Sequence, residues 1–247
     1  MSSNKSFPKI FQKSAERAST KNKLISYSLM WMGLGVALIF LMTYLVLSVP
    51  IIGEAIMKLR TTMWPILMVA NIALVIGISF LVQRLKLPTL ILMYILFIFV
   101  QGLFVSSTLY YSGFSVAQAA GFKNVFILFL VPSGIFVIMG LLGFFQVFDF
   151  SKIGPFLMFA TIGLMIFSIF LIFFGGDRAE KWYSLIGVIL FSLWIGFDIW
   201  WIQRTSDQIE SSGGASSEEL IRLGLIFGIR LFIDFVNVLM FVARLLR

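Results

Sequence analysis

The sequence predicts an all-α integral membrane protein, a bundle of seven transmembrane helices. Three observations carry that prediction. Of 247 residues, 60% are hydrophobic and 12% charged, where a soluble domain carries about 25% charged residues; the mean hydropathy is +1.03. The charges are clustered, which leaves apolar stretches long enough to cross a bilayer core of about 30 Å, a distance that takes roughly 20 helical residues. There is neither cysteine nor histidine, which removes disulfides, thiol nucleophiles, imidazole acid–base chemistry and nearly every zinc site. A cytosolic globular enzyme, a disordered regulator and a typical nucleic-acid binder are thereby excluded. The net charge of +8 describes a tail more than a surface, because six of the 19 basic residues fall in the first 23 positions.

Taken in order, segment 1–24 reads as a basic cytoplasmic tail and 25–247 as a single transmembrane domain. The apolar stretch after the tail is far longer than the apolar core of a cleavable signal, so it reads as the first span. No charge falls between Lys23 and Glu54, Arg60 and Arg84, Lys86 and Lys123, Lys123 and Asp149, or Lys152 and Asp177. These gaps predict helices near 26–49, 62–83, 88–110, 124–146 and 153–175, with a Gly/Ser/Ala turn at Tyr111–Gly121. In the fourth, Pro132, Gly134, Gly140 and Gly143 predict close packing or a kink. Trp182–Arg204 and Leu223–Ala243 complete the seven. Between them, Thr205–Arg222 has the composition of a flexible linker around Ser211-Ser212-Gly213-Gly214. Ser216 followed by Glu219 is a capping-box pattern that starts the last helix.

Basic residues set the topology. With the N-terminus inside, the tail, Arg84, Lys86, Lys152, Arg204 and Arg222 collect on the inner side. Fewer collect outside: Lys58, Arg60, Lys123, Arg178, Lys181, Arg244 and Arg247. The bias favours a cytoplasmic N-terminus. Arg244 and Arg247 disagree mildly with it, and a re-entrant last helix, which returns them inside, is the alternative.

The last two spans carry charge where a bilayer penalises it by about 2.5–3.5 kcal/mol per residue. Asp198 lies in the sixth, and Arg230 and Asp234 lie in the seventh. On a helix, Arg230, Asp234, Asn237 and Arg244 share one stripe, which must face the bundle or a wet cavity because lipid cannot solvate it. Arg230 and Asp234 are spaced for a direct ion pair within their helix. Asp198 has no such neighbour, so its partner comes from elsewhere, with Asp234 or Arg230 nearest in a two-helix hairpin. Two carboxylates in a low-dielectric site cannot both ionise easily and come to share a proton. Such a pair switches with pH, and when deprotonated its hard oxygens suit a transiently bound Ca²⁺. A buried Arg–Asp pair that only ties helices together is the structural alternative. Asn71, Gln101, Ser106, Ser107 and Thr108 read as helix–helix hydrogen bonds rather than ligands.

Leu185–Arg204 and Leu231–Arg244, with [YF]-D in helix six and [LF]-x-D-F-[IV]-N in helix seven, resemble the last two helices of the Bax inhibitor-1 family, bacterial branch. Asp149-Phe150-Ser151 followed by Gly154 is similar to the family's D-[LF]-S-x-x-G between helices four and five, and Gly102 sits where the family often has glycine. The resemblance runs from helix two onward, and the two Asp motifs are its specific part. It implies a seven-helix bundle with a central two-Asp sensor and a pH-sensitive Ca²⁺ leak. By position, Asp198 and Asp234 are the sensor pair. A basic latch residue at the inner end of helix two falls on Arg84, with Lys86 as the other candidate in Gln83-Arg84-Leu85-Lys86. Two departures stand out. Phe145–Phe148 (FQVF) lacks the basic residues that usually precede D-[LF]-S, and Arg230 replaces a small or polar residue and could neutralise the pair.

Two functions are therefore expected to compete: a proton-gated Ca²⁺ or cation leak, and a non-transporting regulator of a membrane-bound AAA protease or a stress response, contacted through Met1–Lys23. The plainer reading of that tail is a topology determinant at an anionic leaflet. An intramembrane aspartyl protease also places one Asp on each of two helices. Here Leu231-Phe232-Ile233 precedes Asp234 where those enzymes have Gly-x-Gly, and their Pro-Ala-Leu element is absent. No enzyme activity and no cofactor are expected. The expected partners are the lipid bilayer and Ca²⁺ or H⁺, with no nucleic acid, and the expected location is a multi-pass position in a bacterial cell membrane.

Overall fold

The computed structural model describes residues 9–81, 84–111, 122–147 and 149–246. The first eight residues of the tail, Val82 and Gln83, the Tyr111–Gly121 turn beyond Tyr111, Phe148 and Arg247 lie outside them. Seven α-helices are present among the described residues: α1 (Lys9–Ser48), α2 (Pro50–Leu81), α3 (Leu87–Tyr111), α4 (Phe122–Phe144), α5 (Gly154–Phe174), α6 (Asp177–Ser211) and α7 (Ser217–Leu245). A short 3-10 turn, Phe150–Lys152, precedes α5. Among the described residues, α1, α3, α4, α5, α6 and α7 each contain a stretch long and apolar enough to cross a membrane.

The helices overrun the apolar stretches that predict them. The basic tail is already helical at Lys9 and continuous with the first span. α2 starts at Pro50, where a missing N–H costs a helix nothing, and carries Glu54, Lys58 and Arg60 before its charge-free part. The expected linker Thr205–Arg222 shrinks to 212–216, because α6 continues to Ser211. Gly213 and Gly214 turn the chain with φ of 103° and 91°, values that suit a residue without Cβ. The capping box forms as the pattern predicts: Glu219 N–H donates to Ser216 Oγ at 3.2 Å, and Ser216 N–H donates to Glu219 Oε2 at 2.7 Å.

α7 is the axis of the bundle. In its apolar stretch 72% is buried, against 11% in α5. It packs most extensively on α1 and α6 and also meets α3 and α4, whereas α5 leans chiefly on α6. Small residues bring α1 and α7 together. A Cβ on Gly224 would lie 2.4 Å from Tyr27 Cβ, and one on Gly228 would lie 2.6 Å from Trp31 Cβ and 2.9 Å from the Ser28 carbonyl oxygen. This Gly-x-x-x-Gly spacing gives close helix approach where lipid supplies no hydrophobic drive. Phe232 and Phe235 fill the core beyond it, Phe232 edge-on to Phe97.

Of the glycines flagged in α4, Gly143 alone packs closely, its Cβ position 2.3 Å from the Gly196 carbonyl oxygen of α6. Nothing lies within 4 Å of that position at Gly134 or Gly140. The polar residues of α3 divide in two. Asn71 donates to Gln101 between α2 and α3, as expected of a helix–helix bond. The hydroxyls of Ser106, Ser107 and Thr108 instead donate to carbonyls three or four residues back in their own helix, the local alternative open to short hydroxyl side chains.

The Asp149-Phe150-Ser151 segment explains itself locally. Asp149 Oδ1 accepts from the Ser151 amide at 3.1 Å and from its hydroxyl at 2.5 Å. The turn drives Phe150, 1% exposed, against Gly196, and a Cβ at Gly154 would meet the Phe197 ring at 2.9 Å. The loop thus clamps the α6 backbone immediately before Asp198. Both Ser151 hydrogen bonds hold the Asp149 carboxyl below its usual range. A depressed carboxyl contributes stability above its unfolded value, about 3.9, and the contribution disappears as pH falls through the lower folded value. Thermal unfolding in detergent should therefore place wild type above Asp149→Asn at pH 7, with the gap closing in acid. A gap that does not depend on pH would contradict this origin.

Candidate functional site

Asp198 and Asp234 meet inside the bundle. Two contacts fix the rotation of α6: Gly143 on the Gly196 carbonyl, and Phe150 on Gly196 itself. α7 is held by its glycine seam on α1, and Gly187 of α6 receives the Phe241 ring, whose atoms lie 2.5–2.6 Å from the Cβ position. With both helices so set, Asp198 is 1% exposed and Asp234 is 7% exposed, and their side chains interact directly.

Arg230 donates from Nη2 to Asp198 Oδ1 at 2.5 Å. The i,i+4 spacing to Asp234 favours a bond within α7, but the ion pair forms across to α6. The reason is geometric: Asp198 is the acid that α6 brings to Arg230, while Asp234 points to Asp198. The charge of Arg230 still acts on both acids. Asp234 Oδ2 is buried with no hydrogen-bond partner among the described residues. A proton on either acid would let the two carboxyls bond to each other, and a cation would satisfy the same oxygens.

The other expected site residues fall on α7 and in the α2–α3 connection. Asn237 is half-buried on α7, one turn past Asp234. Arg84 and Lys86 are exposed in the α2–α3 connection, and neither is among the charges acting on the pair. The neighbouring Leu85 carbonyl instead accepts from Arg222 of α7 at 2.5 Å, and Arg222 also pairs with Glu218. Arg244 stacks over the Tyr183 and Phe241 rings, 5.6 Å from each centroid, a cation–π placement that holds the end of α7 on α6.

Three features carry little sequence signal. The Arg222 strut joins residues 137 positions apart. Gln203, fully buried on α6, donates to the Phe144 carbonyl at 2.7 Å and accepts from Gln146 at 2.9 Å, which closes the end of α4. Gln146 itself has φ 51°, an uncommon conformation for a residue with a side chain. The third is a cleft of about 660 Å³ between the joined ends of α6 and α7, lined by Thr205, Gln208, Ile209, Arg222 and Ile226 among others. Ile226 lies one helical turn from Arg230.

Residues 21–247 match the family model described as inhibitor of apoptosis-promoting Bax1. The chain is 28% identical to a protein of Deinococcus radiodurans over 87% of its length and 86% of that protein's. It is also 28% identical to the inner membrane protein YbhL of Escherichia coli K12, over 72% of each chain.

Proposed function

This chain belongs to the Bax inhibitor-1 family, and from that premise we propose that it is a pH-sensitive cation leak, with Ca²⁺ as a permeant ion, gated by Asp198 and Asp234. The observation that carries the reading is a second buried acid beside an ion pair already complete. Helix-to-helix glue between Arg230 and Asp198 needs no Asp234, and burying an unpartnered carboxyl oxygen costs stability. A group held at that cost inside membrane helices is a functional candidate by default. Protons and cations compete for the same oxygens, which makes passage depend on pH. Two acidic side chains of hard oxygens suit Ca²⁺ only transiently, since lasting sites use six to eight ligands.

The protein is a multi-pass membrane protein. We take α2 as the seventh crossing, with the N-terminus cytoplasmic, α7 as a full span, and the bacterial cell membrane as the location. The reading needs no cofactor and assigns no catalytic role. Reconstituted in liposomes, wild type should pass Ca²⁺ at a rate that changes across about pH 5–8, where buried carboxyls exchange protons. The double variant Asp198→Asn, Asp234→Asn should lose most of the flux and all of its pH dependence. Unchanged flux with an unchanged profile would sink the proposal.

One observation favours a second reading. Arg230 already neutralises Asp198, as befits a non-transporting regulator of a membrane-bound AAA protease or a stress response. Deleting residues 1–23 should then abolish co-purification with that protease and leave the fold intact.

A further inference from the structure

Arg230 occupies the carboxylate pair as a resident cation, and it differs from both acids in exposure. Its side chain is 38% exposed where that of Asp198 is 2% exposed. Of the three charges it is therefore the one nearest the surface of the bundle, and it is the cation acting on either acid among the described residues. A guanidinium keeps its charge at any pH a protein tolerates. Beside it, Asp234 Oδ2 stays buried and unpartnered.

Charge counting gives the consequence. Once the pair has given up its shared proton, two ionised carboxylates alone form a seat of charge −2, which one Ca²⁺ neutralises. With Arg230 in contact the seat carries −1, which one monovalent cation neutralises and Ca²⁺ would exceed by one. An uncompensated charge is costly where water is excluded.

We propose that Arg230 sets the ionic charge preference of this pathway in its deprotonated state: while it sits on Asp198, ionised Asp234 takes a monovalent cation, and Ca²⁺ passes only when Arg230 has swung away. The side chain can make that movement because more than a third of it is already exposed, whereas neither acid can leave the interior. The inference rests on the reading of the Asp pair as a cation pathway and adds the class of ion the resting site accepts.

The test compares Rb⁺ and Ca²⁺ flux at one fixed pH of about 8, the alkaline end of the range in which buried carboxyls exchange protons, in liposomes holding wild type, Arg230→Gln, Arg230→Lys or the double Asn variant. Wild type should favour Rb⁺. Arg230→Gln, which keeps a donor for Asp198 and loses the charge, should move the ratio toward Ca²⁺ by about tenfold or more. Arg230→Lys should stay with wild type. Arg230→Ser removes the same charge with a smaller side chain and reads the same ratio where the glutamine variant does not fold. A ratio that the neutral variants leave unmoved overturns the inference, as does a lysine variant that shifts with them. Those results leave the pathway itself standing provided the double Asn variant is silent. A double Asn variant with wild-type flux overturns the pathway and this inference together.

Discussion

Arg230→Leu is expected to destabilise the protein by about 3 kcal/mol at neutral pH, the lower end of what removing one member of a buried ion pair costs. The loss should exceed that of Asp198→Leu. The asymmetry follows from exposure. Without Arg230, Asp198 is left 2% exposed next to a second acid, with no cation to answer either. Without Asp198, Arg230 keeps a 38% exposed side chain, whose long apolar stem leaves its head free to take another direction. The Arg230→Leu deficit should shrink in acid, because a protonated Asp198 no longer needs a countercharge. The double leucine variant should recover part of the loss, since neither charge is then stranded. Thermal unfolding of the four proteins in one detergent at two pH values reads all of this. Equal losses in the two single variants would refute the assignment of Asp198 as the more deeply committed partner.

Gly143→Ala should cost a similar amount, about 3 kcal/mol, at the upper end for overpacking. Its added Cβ would stand 2.3 Å from the Gly196 carbonyl oxygen, an atom of helix backbone that no rotamer change can move. α4 and α6 must then separate, and the separation falls two residues from Asp198. Gly140→Ala is the control, because nothing lies within 4 Å of its Cβ position. It should be neutral or slightly stabilising, as alanine is the better helix former. Equal melting temperatures for wild type and Gly143→Ala would show that the two helices are not in backbone contact there.

Much of this architecture is legible in the sequence, for physical reasons that also mark where legibility stops. Apolar length reports bilayer thickness, so the gaps between charges locate the spans. It does not report where helical hydrogen bonding ends, and so α6 reaches Ser211 although the apolar stretch stops at Arg204. The Ser216–Glu219 box is readable because both of its bonds are local. Asp198 and Asp234 stand out because charge inside a span is rare. The partner of Arg230 does not stand out. Spacing along α7 points to Asp234, while the observed partner depends on the rotation of α6 against α7. That rotation is set by Gly143, Gly196 and Gly187, whose contacts lie on other helices. The Gly224–Gly228 seam emerges only in the structure, because its partner surface on α1 lies some 200 positions earlier.

The central place of α7 bears on how the protein is built. Of the seven helices α7 is made after the other six and becomes the axis of the bundle, and α1, made before them, shares its largest helix interface with α7. Until α7 arrives, α1 waits in the membrane without the glycine seam it packs on, and Asp198 waits without its cation. Alone, each charged residue of the last two helices resists insertion by about 2.5–3.5 kcal/mol. Joined by five residues, 212–216, and entering as a hairpin, α6 and α7 bring Asp198 and Arg230 into the bilayer already neutralised. Packing of these seven helices therefore waits for α7. A chain that stops short of Ser217 leaves Asp198 in the membrane without the Arg230 cation that pairs with it.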